Sequence, residues 1–350
     1  MTADSIIEKT IEYLTIPAVV GFEQVFLKHL QEDFKKMGLS VFNIDGVLSV
    51  AGKDPSSAII CAHVDRHGLI SLGNGEYAYA AQYIKEIKYG ENNRSSYEVL
   101  EAISERFVDE IVYAYDPETG QNLGQGRIQA SRSSMQNGDS IFHVHDMPHV
   151  DVDIPLAYER SARKENGHLK GQIDNALSLG VVHALFANGF EGTALLTTEE
   201  EIGKSWIHIM NYMKTNNIES KDLLVLDTSP YNINSEPIEK AMVIFRNRDK
   251  SEIFNPALVS KLKDRCEALG LPFQVKDEYM IEQGRSVDEF GSTELGRLVA
   301  GSEGRWNGAT VQIPTHAYHT SNETTTGLAI LNCYNFLHNI LVEDNIISSD

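Results

Sequence analysis

The sequence predicts an α/β protein: a doubly wound domain built on a mixed sheet, interrupted by a small, mostly β domain. Three observations carry that expectation. Short apolar runs at residues 58–62, 195–198 and 223–226 each lead into a side chain able to bind a cation. Such runs alternate with stretches of helical periodicity on both sides of the middle of the chain, the pattern of parallel strands covered by helices. Between about Leu69 and Lys164 the texture changes to one rich in Tyr, Gly, Asn and Ser. The expected boundaries are residues 1–68 and 165–350 for the larger domain and 69–164 for the insertion.

In chain order, Ile6, Ile7, Ile11 and Leu14, then Phe26, Leu27, Leu30 and Phe34, recur at helical spacing. The 17–21 stretch, from a proline to a glycine, breaks that pattern, so two helices are expected. Residues 41–50 suggest two strands around an Asp45-Gly46 turn, followed by a buried strand at 58–62 that ends at His63-Val-Asp65-Arg-His67-Gly68. Within the insertion a helical piece is expected near 97–108, a loop at 120–126 and a turn at 134–138. Beyond it, helices are expected at 174–187, 206–215, 255–269 and 328–342, with strands at 192–198 and 223–227.

Composition excludes several classes. The chain has 350 residues, 42% hydrophobic and 23% charged, ordinary for a globular protein large enough for two or three domains. A formal net charge of −20 argues against nucleic acid or an anionic membrane as partner, since both are bound through basic patches. No apolar run is long enough to span a bilayer, and the amino terminus lacks a basic start followed by an apolar core. A cytoplasmic location is therefore expected. Cys61, Cys266 and Cys333 are too few and too scattered for a disulfide framework.

The chemistry centres on Leu195-Leu-Thr-Thr-Glu199-Glu200-Glu201-Ile-Gly203. Three adjacent carboxylates repel one another, which fits either a solvated strand end or a bound cation. If the three apolar strands are parallel neighbours, His63, Glu200, Glu201 and Asp227 converge at their carboxyl ends, where open α/β sheets place ligands. Asp174, at a helix start, reads alone as an N-cap, and His319, after a proline turn, as a loop histidine. As a set they provide enough nitrogen and oxygen ligands for two zinc-like ions sharing a carboxylate.

The order His-x-Asp, Asp, Glu-Glu, Asp, His resembles the co-catalytic dizinc peptidases, and in detail the M42 glutamyl aminopeptidase family. His63-Val-Asp65 with Gly68 resembles that family's His-Met-Asp-Glu-x-Gly, and Ile173-Asp174-Asn175 stands where it has Ile-Asp-Asp-Arg. Glu199-Glu200-Glu201-Ile-Gly203 resembles Gln-Glu-Glu-Val-Gly. Gly291-Ser-Thr-Glu294 resembles Gly-Gly-Thr-Asp, and Pro314-Thr-His-Ala-Tyr-His319-Thr resembles Pro-Thr-Arg-Tyr-Ile-His-Ser. The resemblance covers nearly the whole chain.

It implies a catalytic domain of zinc-peptidase type with an inserted PDZ-like assembly domain, and self-association into shells of twelve subunits. It implies a metal-dependent aminopeptidase acting on short peptides with two divalent ions, zinc or else cobalt or manganese. Asp174 would bridge the ions, His63 and Asp227 completing one and Glu201 and His319 the other. Asp65 would orient His63, and Glu200 would be the general base. A related deacylase or carboxypeptidase, and a non-catalytic peptide-binding scaffold, are the alternative readings.

Arg66, Asn175, Ala176 and His316 depart from the family pattern without removing a ligand. Arg66 brings positive charge near the site, where it would favour an acidic substrate residue. Glu199 stands in the position of a neutral Gln, as a solvated or paired acid. His143 and His145 share a strand face near His149, but they lack a matched third ligand. His67 is expected in the wall of the site.

Overall fold

The computed structural model describes residues 1–81, 104–134, 139–159, 162–218 and 222–344. Two helices, Ala3–Leu14 and Gln24–Lys36, open the chain, separated as the sequence predicts by the break at residues 17–21. Their buried faces carry Ile6, Ile7 and Leu14 on the first and Phe26, Leu30 and Phe34 on the second. Next come β1 (Ser40–Ile44), β2 (Val47–Ala51) and β3 (Ile59–His63). The Asp45-Gly46 turn between β1 and β2 has both residues at positive φ, 40° and 84°, the conformation that Asp and Gly tolerate best.

The insertion folds as a closed barrel. Its strands are β4 (Leu69–Gly73), β5 (Glu76–Tyr79), β6 (Ile111–Tyr115), β7 (Asn122–Ser134), β8 (Asp139–His145) and β9 (Pro155–Tyr158), joined in the order β4-β5-β8-β7-β6-β9. It has an apolar core of its own, which includes Tyr79, Phe107, Val112, Ile128, Phe142 and Tyr158. The helical piece expected near 97–108 falls largely outside the described residues. What is described is a single 3-10 turn, Glu105–Phe107. Of the turn expected at 134–138, residues 135–138 also lie outside the described residues.

The chain returns through β10 (Arg163–Glu165) and β11 (His168–Gly171), and continues with β12 (Thr193–Thr197), β13 (Asp222–Pro230), β14 (Val243–Phe245), β15 (Phe273–Val275), β16 (Asn307–Thr315) and β17 (Glu323–Thr326). The eight-stranded main sheet runs β1-β2-β12-β3-β13-β16-β14-β15. Its centre is parallel: β12 pairs β3, β3 pairs β13 and β13 pairs β16 in one direction. Antiparallel pairs flank that centre at β2 with β12 and at β14 with β16, so the sheet is mixed. A second sheet, β10-β11-β17, ties the chain leaving the barrel to the segment after His319.

Helix Ala176–Ala187 is apolar on nearly every side and buried almost throughout, because it packs against the sheet and the terminal helices at once. The final apolar stretch is an α-helix from Gly327 to His338 that ends in a π-helical turn, Asn339–Glu343. No helix among the described residues is long and apolar enough to cross a membrane.

Candidate metal centre

Three parallel strands converge on one mouth. Strands β12, β3 and β13 are neighbours, with Thr197 level with His63 and Val225 level with Cys61, so their carboxyl ends lie side by side. His63 ends β3, Glu200 and Glu201 follow β12, and Asp227 lies near the end of β13. Asp174 and His319 come in from loops that the second sheet holds, through β11 and β17.

Five of these groups meet as two triads that share Asp174. His63 Nε2 lies 3.2 Å from Asp174 Oδ1 and 3.5 Å from Asp227 Oδ1. His319 Nε2 lies 3.5 Å from Asp174 Oδ2 and 3.6 Å from Glu201 Oε2. Within each triad the possible ligand atoms lie within 4.8 Å of one another. The two oxygens of a single carboxylate, Asp174, thus face the two imidazoles. Asp174 is 1% exposed and its Oδ1 has no hydrogen-bond partner, nor does Glu201 Oε1. Such orphaned oxygens, with imidazole nitrogens beside them, fit hard or borderline divalent cations.

Electrostatics agree with that fit. Burial and the charge of Asp174 push Glu201 well above the usual carboxylate range. Burial also raises Glu200, to about 8, with Asp227 and Asp65 adding to it against the opposing pull of His63. Asp227 is raised by burial and by Asp174. Burial alone would lower His63, but the carboxylates of Asp174, Asp227 and Asp65 beside it carry it well above the ordinary imidazole value. Asp174 goes the other way, because the imidazoles of His319 and His63 beside it outweigh burial. Like charge held in low dielectric needs a counter-ion.

Asp65 holds more than His63. Its carboxylate accepts the backbone N–H of Glu200 at 3.0 Å and of Glu201 at 2.9 Å, so it fixes the turn that presents both acids. The nearer contact of His63 Nδ1 is the Asp65 main-chain carbonyl at 3.1 Å, with the carboxylate at 3.6 Å. Glu199, left-handed at φ 62°, turns away to pair with His208 at 2.8 Å and Lys204 at 3.2 Å. His67 is fully buried against the His319 ring, centroids 4.9 Å apart, and against Tyr158 and Phe107 of the barrel.

Two further carboxylates, Glu323 and Glu294, were given no role by the sequence, although Glu294 stands in a quoted motif. Glu323, fully buried, accepts the backbone N–H of Asp174 at 2.8 Å and of His319 at 2.6 Å, holding a residue from each triad with one side chain. Glu294 accepts the Thr197 hydroxyl at 2.6 Å beneath the end of β12. Glu323 had no local signal, lying among Ser, Asn and Thr, whereas Glu294 lies within the Gly291-Ser-Thr-Glu294 motif.

The expectation for Arg66 needs correcting. Its guanidinium donates to the Ile16 carbonyl, lies 5.5 Å from the Phe26 ring centre, and does not line the cavity at the site. Burying a guanidinium is costly, and this carbonyl after the first helix and aromatic ring on the second give it local partners. Asn175 donates to the Leu226 carbonyl at 2.9 Å, and His316 pairs through its backbone with Thr324. His145 lies 2.8 Å from Asp146 and is largely exposed, as is His149, and no metal-competent group among the described residues includes either of them or His143.

The mouth opens into a cavity of about 670 Å³. Glu200, Glu201, Asp227, Tyr318 and His319 line one part of it, and Arg246, Lys276 and Arg285 another. Tyr318 stacks on His319 with ring centres 3.9 Å apart. Arg246 and Lys276, both missed in the sequence, are each 6% exposed.

No protein-family model matches the chain, and no curated protein does either. Solved structures do match. An aminopeptidase, APDkam598, from the archaeon Desulfurococcus kamchatkensis superposes with a TM-score of 0.72 at 16% identity, over 99% of each chain. The Pyrococcus horikoshii TET1 peptidase, described as assembling into a tetrahedron or a large octahedral shell, gives 0.67 at 17% identity, over 97% of this chain and 100% of that one. A protein named an endoglucanase, from Thermotoga maritima, gives 0.64 at 14% identity, over 97% and 98%. The chain has the α/β fold with a mixed sheet that these proteins share.

Proposed function

We propose that the chain is a metal-dependent aminopeptidase of the M42 type that removes amino-terminal residues from short peptides. The observation that carries this reading is the position of Asp174, whose two oxygens face His63 on one side and His319 on the other. His63, Asp174 and Asp227 would hold one divalent ion, and Asp174, Glu201 and His319 a second, zinc being the best match to this nitrogen and oxygen set. When bound, such a pair supplies acidified water and a polarised carbonyl.

The chain's own groups do the rest. Glu200 lines the cavity beside these ligands, and its carboxylate takes the proton of the attacking water and passes it to the leaving amine. Asp65 keeps Glu200 and Glu201 in register through their backbone N–H groups, and its carbonyl fixes the ring of His63. Glu323 keeps Asp174 and His319 in place from behind.

The same reading assigns residues 1–68 and 165–350 to catalysis and the barrel within 69–164 to a PDZ-like assembly role, with homo-oligomers as large as twelve subunits. It places the protein in the cytoplasm. An insertion this early in the chain favours the aminopeptidase over a related deacylase or carboxypeptidase. Metal analysis after loading with zinc, combined with a panel of aminoacyl anilides and short peptides, tests the proposal. Two ions per chain and release of the amino-terminal residue are expected. A metal-loaded protein that cleaves no member of the panel would return the reading to a peptide-binding scaffold.

A further inference from the structure

Between helices Ala3–Leu14 and Gln24–Lys36 a second set of nitrogen and oxygen ligands gathers, and none of its members lines the cavity at the metal centre. His29 and Asp33 lie four residues apart on the second helix, a spacing that places both on one face. Glu12, near the end of the first helix, meets them there, its Oε1 3.4 Å from His29 Nε2. One ligand atom from each of Glu12, His29 and Asp33 falls within 4.8 Å of the others. His29 Nε2 is shielded from solvent and has no hydrogen-bond partner among the described residues. Helix Ala176–Ala187 adds His183, whose Nε2 lies 3.7 Å from Asp33 Oδ2.

A cation already sits among these groups. The Lys9 amine lies 2.8 Å from Glu12 Oε2 and 3.2 Å from Asp33 Oδ2, and the Tyr13 hydroxyl donates to Asp33 Oδ2 at 2.7 Å. One ammonium against two carboxylates leaves a negative excess, and its contacts with them leave the His29 nitrogen over. A divalent ion would use all three ligands. Burial, with the charge of Lys9 adding to it, holds His183 below the ordinary imidazole range, so its ring brings no competing charge to Asp33 at neutral pH.

We infer that Glu12, His29 and Asp33 form a further metal site, for a borderline divalent cation such as zinc, which displaces the Lys9 amine and clasps the first two helices together. Imidazole beside carboxylate selects zinc-like ions over magnesium and calcium, which take oxygen ligands. The site is partly exposed, offers three protein ligands and must shed an ammonium, so it fills at higher free zinc than the buried centre and independently of it. Its effect is on stability, because an ion held only by the folded chain raises the melting temperature.

Calorimetric titration tests the site. The full chain is loaded with zinc, freed of excess, and then titrated with zinc or with magnesium. One further zinc ion should bind, and magnesium should not at the same concentrations. His29→Gln should weaken that ion by at least the roughly 10-fold that losing even a supporting group costs a metal site. Lys9→Gln should tighten it about 5-fold, the Coulomb cost of a nearby like charge in water, whereas in a plain ion-pair network the same change only destabilises. Melting temperatures of the zinc-free variants establish folding, and if His29→Gln does not fold, the exposed Glu12→Gln replaces it. No further ion, an ion held as tightly by the folded ligand variant, or one that Lys9→Gln does not tighten, overturns the site. The same titration on the Asp174→Ala chain keeps this outcome separate from the fate of the proposed two-ion centre.

Discussion

The two ends of the cavity pose the same electrostatic problem with opposite signs. At one end, Asp174, Glu201 and Asp227 crowd together, largely buried, with imidazoles aimed between them and orphaned oxygens facing inward. At the other, Arg246 and Lys276 are equally buried, but the acceptors around them are neutral carbonyls. The acidic end has the spacing and donor types to hold small ions. The cationic end has no such cage, and its charges are met by neutral acceptors and the Tyr231 ring. Buried charge of one sign therefore has two different meanings, and the surrounding ligand atoms decide which applies.

The sharpest way to break the comparison is at the shared carboxylate. Asp174→Ala removes an oxygen ligand from both triads, so zinc content should fall from two ions per chain to below one and hydrolysis should disappear. Two retained ions would refute the sharing. Next in size, Glu200→Gln should lower turnover by roughly 10² to 10⁴-fold, the range for a general base, while zinc content stays near that of the parent protein. Near-parental turnover would remove Glu200 from that role.

The acidic end also predicts a pH dependence. Glu201 and Asp227 are raised by burial and neighbouring charge, and His63 by its carboxylate partners, so the metal-free chain holds protons there that the unfolded chain releases earlier. The metal-free fold loses that contribution as pH rises through these values, whereas the loaded fold has already shed the protons. The rise in melting temperature on adding zinc should therefore grow as pH rises from the ordinary carboxylate range towards neutrality and above. A shift that is flat or shrinks over that window would count against a proton-linked site. The smallest effect is expected at Glu199, whose pairs with His208 and Lys204 are partly exposed. Glu199→Gln should change stability by no more than about 1 kcal/mol in denaturant melts.

Much of the acidic end was legible because apolar runs announce strands and strands announce where they stop. His63, Glu200, Glu201 and Asp227 each follow such a run, and parallel pairing of β12, β3 and β13 brings their ends together. Asp174 and His319 were singled out by sequence motifs, since neither lies on a strand. Glu323 was missed because it meets Asp174 across a separation of 149 residues, with nothing in its neighbours to mark it. Arg66 misled because closeness in sequence to His63 says nothing about which way a side chain leaves the backbone.

The chain by itself determined the residue types at the strand ends, the mixed α/β plan and the β-rich insertion, since all three follow from local periodicity and composition. Only the folded molecule decided that one carboxylate serves two imidazoles, that Asp65 grips the turn at Glu200 through the backbone, and that Arg246 and Lys276 share a cavity with the acids. Those are contacts between residues far apart in the chain. Sheet order and loop path settle them, and neither is written in any single stretch of sequence.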